Sequence, residues 1–161
     1  MGAQNVRLLG LNVAFAPDGA ADAVLGTVVQ RAAKALPQSA TEPLFTVAGG
    51  RVRITQILGE ITTVVQAQAC TLKLSANPTV GAAVDVCATL DINALAVGKL
   101  LGITGTFANA MVEGLALPAQ AAPTIVAPGT IDAITGASNT GGFRWTLRYA
   151  AIDEGATVVA A

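Results

Sequence analysis

The sequence predicts a mainly β domain, folded as an antiparallel β-sandwich or a jelly-roll-like barrel. About eight to ten short segments alternate apolar with polar residues, and turn-forming residues separate them at the spacing typical of such folds. The 161 residues suit one domain whose core needs neither disulfides nor metals. We predict an N-terminal arm, helix and linker over residues 1–43 and a β-sandwich domain over residues 44–161.

The N-terminal part combines two kinds of periodicity. Between Val6 and Phe15 apolar residues recur at steps of two and end at Pro17-Asp18-Gly19, which indicates an extended arm or strand closed by a turn. From Ala20 to Leu36 the steps become three and four residues, which predicts one amphipathic helix ending at Pro37. The arm either lies on a neighbouring subunit or forms an edge strand of its own sheet.

The segment from Leu44 to Gln66 predicts a β-hairpin with a two-residue turn at Gly49-Gly50. Counting outward from that turn, every directly opposed pair matches in polarity, as a shared sheet face requires. The apolar pairs are Val47 with Val52 and Phe45 with Ile54. Gly59-Glu60 interrupts the alternation and indicates a bulge or a turn into a third strand.

Alternation continues along the rest of the chain and is clearest in the last strand, where Phe143, Trp145, Leu147 and Tyr149 are expected to face inward. The other predicted strands are Cys70–Leu74, Val84–Ile92, Leu100–Phe107, Thr124–Ala127 and Thr130–Ile134. Turns are predicted at Ser75–Thr79 and Pro128-Gly129, and long loops at Ala108–Pro123 and Ile134–Gly142.

The composition favours a subunit of an obligate assembly. Only 12% of the residues are charged, about half the usual share, while 53% are apolar and the mean hydropathy is +0.61. Such a surface has few of the groups that keep neighbouring molecules apart. The alternative is a monomer coated with small Ala and Thr side chains.

Charge and hydropathy also exclude several partners. The net charge of −1 provides no basic field for nucleic acid. The longest apolar run, Leu100 to Val112, is too interrupted for a membrane span, and the first residues do not resemble a secretion signal, so we expect a cytoplasmic origin. Cys70 and Cys87 are expected to be buried free thiols, with a single disulfide as the alternative.

The residues that carry most enzyme chemistry are scarce. The chain has no histidine, the commonest general base and zinc ligand. Asp85 and Asp91 are too far apart along one strand for a glycosidase pair, and Asp153-Glu154-Gly155 has too few ligands for calcium. Ser138–Gly142 lacks the lysine of a phosphate loop. We therefore predict no enzyme activity and no catalytic, cofactor-binding or metal-binding residue.

Two outward pairs of arginines are the main basic features of the predicted strands. Arg51 with Arg53, and Arg144 with Arg148, would either bind carboxylates of a neighbouring subunit or be solvated.

Four blocks of the sequence resemble virion structural proteins of tailed bacteriophages, of the head decoration or cement type. The blocks are LFTVAGGRVRITQILGEITTVV, LSANPTVGAAVDVCATLDINALAVG, LLGITGTFANAM and ASNTGGFRWTLRYAAIDEGA, within residues 44–161. The resemblance implies a β-rich subunit on the capsid surface of the virion, assembled in the host cytoplasm. Its partners would be the major capsid protein, between whose subunits it binds, and further copies of itself in a homotrimer or another homo-oligomer.

Two other functions are weighed against this one. The first is a receptor- or carbohydrate-binding β-sandwich module of a phage tail or fibre, which would need exposed aromatic side chains in loops. The second is a hydrolase that works through carboxylates alone, for which Asp85, Asp91 and Glu60 are the candidates.

Overall fold

Two six-stranded antiparallel sheets pack face to face around one hydrophobic core. The structure is a computed structural model that describes residues 26–161 in full and, before them, the backbone of residues 5–8 and 11–14. The strands are β1 Asn5–Leu8, β2 Leu11–Ala14, β3 Thr27–Ala35, β4 Thr41–Ala48, β5 Val52–Thr63, β6 Thr71–Pro78, β7 Val84–Asp85, β8 Leu90–Asp91, β9 Leu100–Gly102, β10 Val112–Gly114, β11 Thr124–Val126, β12 Gly129–Thr135, β13 Gly142–Ala151 and β14 Thr157–Ala160. The predicted mainly β, sandwich-like fold is confirmed.

Each sheet has a simple strand order. The first sheet runs β10-β9-β5-β13-β3, and β11 also pairs with β5. The second runs β14-β4-β12-β6-β7, and β8 also pairs with β6. The first two strands, β1 and β2, pair with each other in a two-stranded sheet of their own. The segment predicted as one extended arm or strand contains these two strands, and the turn predicted at residues 17–19 lies outside the described residues.

The predicted hairpin at Gly49-Gly50 is wrong, because the chain crosses there from one sheet to the other. β4 pairs with β12 and β14, whereas β5 pairs with β13, β9 and β11. Val47 and Val52 are both buried, so each strand faces the core as predicted. Alternation identifies the inward face of a strand, but two inward faces meet equally well across a core. Pro128-Gly129 and the 136–141 loop also connect strands of different sheets.

The predicted interruption at Gly59-Glu60 is also wrong, since β5 runs unbroken from Val52 to Thr63. Gly59 lies opposite Trp145 of β13, and the indole ring covers the glycine. A Cβ atom at Gly59 would lie 2.8 Å from Cζ3 of Trp145. The ring also stacks on Phe143, with centroids 6.0 Å apart. Gly59 therefore makes room for the largest side chain of the core.

The predicted helix is wrong over residues 27–35, which form β3, while residues 20–25 lie outside the described residues. β3 pairs with β13 at the edge of the first sheet, so the sandwich includes chain that precedes residue 44. Two features hide its period of two. The inward position opposite Trp145 is a charged residue, Arg31, and the register shifts next to it. Alanines on both sides of the strand add an accidental helical spacing.

Arg31 closes the edge of the sandwich where β3 meets the second sheet. Its guanidinium is buried and pairs with Glu42 of β4, which also pairs with Lys34. Its Nε donates a hydrogen bond of 3.3 Å to the carbonyl oxygen of Ala161. Burial raises the pKa of Glu42, but the hydrogen bonds from Lys34 and Arg31 outweigh it, so the pKa lies below its ordinary value. The buried charge is thus paired and hydrogen-bonded.

The remaining strand predictions have mixed outcomes. The inward residues of β6 and β13 are buried as predicted, and the two cysteines are buried and free. The predicted turn at Ser75–Thr79 begins too early, because β6 continues to Pro78. Val84–Ile92 is not one strand but contains two short ones, β7 and β8. Val84 of β7 is exposed, and Cys87, between the two strands, is buried. Desolvation raises the pKa of the Cys87 thiol.

We predict that Gly59→Ala destabilises the protein through its clash with Trp145. The added Cβ overpacks the core, which costs about 1–3 kcal/mol of the free energy of unfolding. Urea unfolding followed by circular dichroism measures the change. Gly102→Ala is the matched control, because its tightest new contact, at 3.1 Å, would be with the flexible end of Leu117, and the carbonyl oxygen of Ile57 lies at an ordinary 3.8 Å. Equal losses in the two variants would show that Trp145 does not depend on the space at Gly59.

We predict that Glu42→Gln destabilises the protein by about 2–3 kcal/mol, because it leaves the buried Arg31 charge without its carboxylate. Glu113→Gln is the control, since its pair with Lys99 is partly exposed and should contribute less than about 1 kcal/mol. Thermal and urea unfolding give both values. A loss at Glu42 no larger than at Glu113 would mean that this edge closes without the ion pair.

Candidate assembly surface

Most of the few charges in the described part of the chain are paired within the molecule. Six ion pairs join charged side chains, and two of them join strands that are neighbours in a sheet. The pairs are Arg31–Glu42, Lys34–Glu42, Arg51–Asp153, Lys73–Asp85, Lys99–Glu113 and Arg144–Glu60. The protein therefore presents even fewer unpaired charges to a partner than its composition indicates.

The two outward arginine pairs separate into paired and unpaired members. Arg51 donates to both carboxylate oxygens of Asp153, at 2.9 and 2.8 Å, and Arg144 pairs with Glu60. Arg53 and Arg148 have no ion-pair partner among the described residues. Within the described residues, Arg53 and Arg148 are therefore the two members of these pairs that have no carboxylate partner.

The carboxylates weighed for catalysis do not converge. Asp85 lies opposite Ser75 and Asp91 opposite Thr71 on β6, so the two are roughly 13 Å apart along the strand. The carboxyl groups of glycosidase pairs are at most about 9.5 Å apart. Asp85 pairs with Lys73, at 2.6 Å, and Glu60 pairs with Arg144 on the other sheet.

The two segments weighed as calcium and phosphate sites, 153–155 and 138–142, have structural roles. Asp153 is engaged by Arg51 in a turn before Gly155. The described residues contain no group of three or more His, Cys, Asp or Glu side chains that could hold a metal ion. The Ser138–Gly142 segment connects the two sheets, and its Asn139 donates to the carbonyl oxygens of Gln66 and Gln68, at 3.3 and 3.0 Å.

Large apolar side chains are exposed on many sides of the sandwich. Eleven of them, in the part of the chain that the structure describes, have at least 38% of their surface exposed to solvent. They are Val28, Val64, Val80, Val84, Val97, Phe107, Val112, Leu115, Ile125, Ile152 and Val159. Scattered single residues of this kind are normal, but a contiguous patch marks an interaction surface.

Three of these side chains lie together at the edge of the sandwich opposite Arg31. Val84, Phe107 and Ile125 line a groove of about 230 Å³ between β7 of the second sheet and β11 of the first. We call it the edge groove. Its other lining residues are Ala76, Pro78, Val86, Thr124, Val126 and Ala127. No charged residue lines it, so the edge groove accepts apolar, uncharged groups.

The edge groove is flanked by open strand edges. β7 and β11 each pair with a single strand among the described residues, so each has an open edge. The Oγ1 atom of Thr124, one of the lining residues, is buried and has no hydrogen-bond partner among the described residues. Sequence reasoning missed this site because β7 and β11 are 40 residues apart in the chain.

A second, smaller apolar pocket lies beside β10, the end strand of the first sheet. It has about 140 Å³ and is lined by residues of β9, β10 and the loop after β10, including Ile103, Val112 and Leu117. Leu115 in that loop is 79% exposed. The predicted 108–123 loop thus contains one short strand, β10, and otherwise irregular chain next to apolar surface.

No protein-family model, no curated protein and no solved structure matches this chain. No helix among the described residues is long and apolar enough to span a membrane.

We predict that Asp153→Asn lowers the stability of the protein at neutral pH but not at strongly acid pH. The hydrogen bonds from Arg51 hold the pKa of Asp153 at about 2, below its ordinary 3.8. The ionised carboxylate therefore stabilises the fold above pH 3.8, and this contribution is lost as the pH falls through about 2. Urea midpoints of both proteins should differ near neutral pH and converge at about pH 2.

The control for this titration is Asp91→Asn, because Asp91 is exposed and its oxygen only accepts the backbone N–H of Asn93, at 3.0 Å. An asparagine oxygen preserves that bond. A difference in urea midpoint between wild type and Asp153→Asn that stays constant over the whole pH range would contradict a stabilising role for the ionised Asp153 carboxylate.

Proposed function

We propose that this protein is a structural virion subunit, a head decoration or cement protein of a tailed bacteriophage that binds between subunits of the major capsid protein. The observation that carries the assembly role is the apolar, charge-poor surface, above all the edge groove. The assignment to a phage head rests on the resemblance of the four sequence blocks. The proposed location is the outer surface of the capsid.

The physical properties of the described residues support a subunit that works by covering surface. A cement protein stabilises a shell by burying apolar area at many copies, so it needs exposed apolar side chains and no reactive group. Eleven large apolar side chains are exposed, and most charges are paired internally. The homotrimer or other homo-oligomer expected from the sequence belongs to the same proposal.

The receptor- or carbohydrate-binding alternative has less support. It needs aromatic side chains exposed in loops, where they stack on a ligand. Phe45, Phe143, Trp145 and Tyr149 are buried, and only Phe107 is exposed among the aromatic residues described. A hydrolase through carboxylates alone likewise has no convergent acid pair to support it.

We predict that the isolated protein is an oligomer at micromolar concentration, because its apolar surface is unfavourable in water. Multi-angle light scattering and sedimentation velocity measure the mass. In cryo-electron microscopy of purified heads of the parent phage, the chain should occupy the outer surface in many copies. A stable monomer would remove the physical support for the proposal, and heads that lack the chain would exclude it.

A further inference from the structure

Two arginines lie close together on the outer face of the first sheet, the face that is turned away from the core. Arg53 of β5 is opposite Ala150 of β13, and Arg148 comes two residues before Ala150 on the same strand. Each of the two arginines stands between two buried residues of its strand, so its side chain points outward. Arg53 and Arg148 are thus diagonal neighbours, whose Cα atoms lie roughly 7–8 Å apart. One partner surface can pair with both.

Each of these arginines has an exposed aliphatic side chain opposite it on a further strand. Ile125 of β11 lies opposite Arg53 and is 65% exposed, and Val28 of β3 lies opposite Arg148 and is 42% exposed. We call the patch formed by Arg53, Arg148, Ile125 and Val28 the arginine face. It continues into the edge groove, because Ile125 belongs to both. Arginine is enriched in protein–protein interfaces, whose centres are also the most apolar part.

The charge of the arginine face is not balanced within the described residues. Further along the same outer face, Arg144 pairs with Glu60. Within residues 26–161, Arg53 and Arg148 are the only lysine or arginine residues that have no carboxylate partner. Two unbalanced positive charges beside exposed aliphatic side chains favour a partner that presents carboxylates next to apolar groups.

A second copy of the chain does not provide such a surface in its described residues. The exposed acids there that have no lysine or arginine partner are Asp91 and Glu154. Asp91 lies beside the first residue of β6, and Glu154 comes just before β14, which begins opposite the last residue of β4. Since β4 and β6 run in the same direction, these two acids lie at opposite ends of the second sheet. They cannot reach two neighbouring arginines together.

A nucleic acid is also a poor partner for the arginine face. Proteins bind nucleic acid through many phosphate contacts, and two arginines on a chain of net charge −1 are too few. The exposed Ile125 and Val28 would gain nothing from a phosphate backbone. The partner that fits is therefore the acidic surface of a different protein.

We propose that the arginine face is the surface through which this protein binds the capsid shell, and that the shell presents carboxylates to Arg53 and Arg148. This inference rests on the proposed function, because it takes the major capsid protein as the partner. It adds which face of the sandwich is turned to the shell and which chemistry receives it. Ile125 and Val28 are buried in the same contact.

Binding to heads of the parent phage that were assembled without this chain tests the arginine face. The full-length double variant Arg53→Gln/Arg148→Gln should bind these heads roughly a hundredfold more weakly than the wild type, about tenfold for each lost pair. Asn93→Asp/Asn109→Asp is the matched control, because it lowers the net charge by the same two units at exposed loop positions. It should change the dissociation constant less than about threefold. Sedimentation of the heads with the bound chain measures both constants.

Two further measurements separate a charge contact from a structural effect. Wild-type binding should weaken as the salt concentration rises, whereas binding of the double variant should depend less on salt. Arg53→Lys/Arg148→Lys keeps both charges but loses the bidentate geometry, so it should bind within about tenfold of the wild type. The thermal unfolding midpoints of all variants should agree with that of the wild type.

The remaining outcomes separate this inference from the proposed function. If the double variant binds heads like the wild type, the inference is overturned and the proposed function stands. If the double variant unfolds at a clearly lower temperature, or loses only self-association, the arginines pair within the chain or with another copy, and the inference is also overturned. Retardation of duplex DNA at physiological salt by the wild type but not by the double variant would make the partner a nucleic acid and overturn it too. If the wild type does not bind heads, both proposals fail.

Discussion

The apolar faces of two sheets are buried only against each other, and the chain satisfies this constraint by changing sheet between nearly all of its long strands. From β3 to β6, and again from β11 to β14, each strand lies in the opposite sheet from the one before it. The connections must therefore be tight. Gly49 has φ +76, and a Cβ there would lie 2.3 Å from the carbonyl oxygen of Gly155, so a larger residue would force the crossing open.

The same constraint makes the two edges of the sandwich different. At the β3 edge the sheets are joined by a buried arginine that pairs with a glutamate of the facing sheet and reaches the carbonyl of Ala161. At the β7 and β11 edge the strands are short and the lining is apolar. An ion pair thus closes one edge of the sandwich, whereas the other edge presents an apolar groove.

This asymmetry supports the proposed assembly function. Most acids of the described residues are held in ion pairs, and the largest aromatic side chains of these residues support the core. The proposed capsid role depends on apolar surface that water does not solvate well, which the shell or neighbouring copies would cover.

The amino-acid sequence by itself determined the fold class, the strands β6 and β13, the inward face of each and the burial of both cysteines, because a period of two and side-chain polarity are local properties. Only the tertiary structure decided which strands pair, since matched polarity is satisfied equally beside a strand or across the core. It also turned a helical spacing into β3, because pairing with β13 and the burial of Arg31 outweigh local propensity. The edge groove, built from β7 and β11, exists only once distant segments meet.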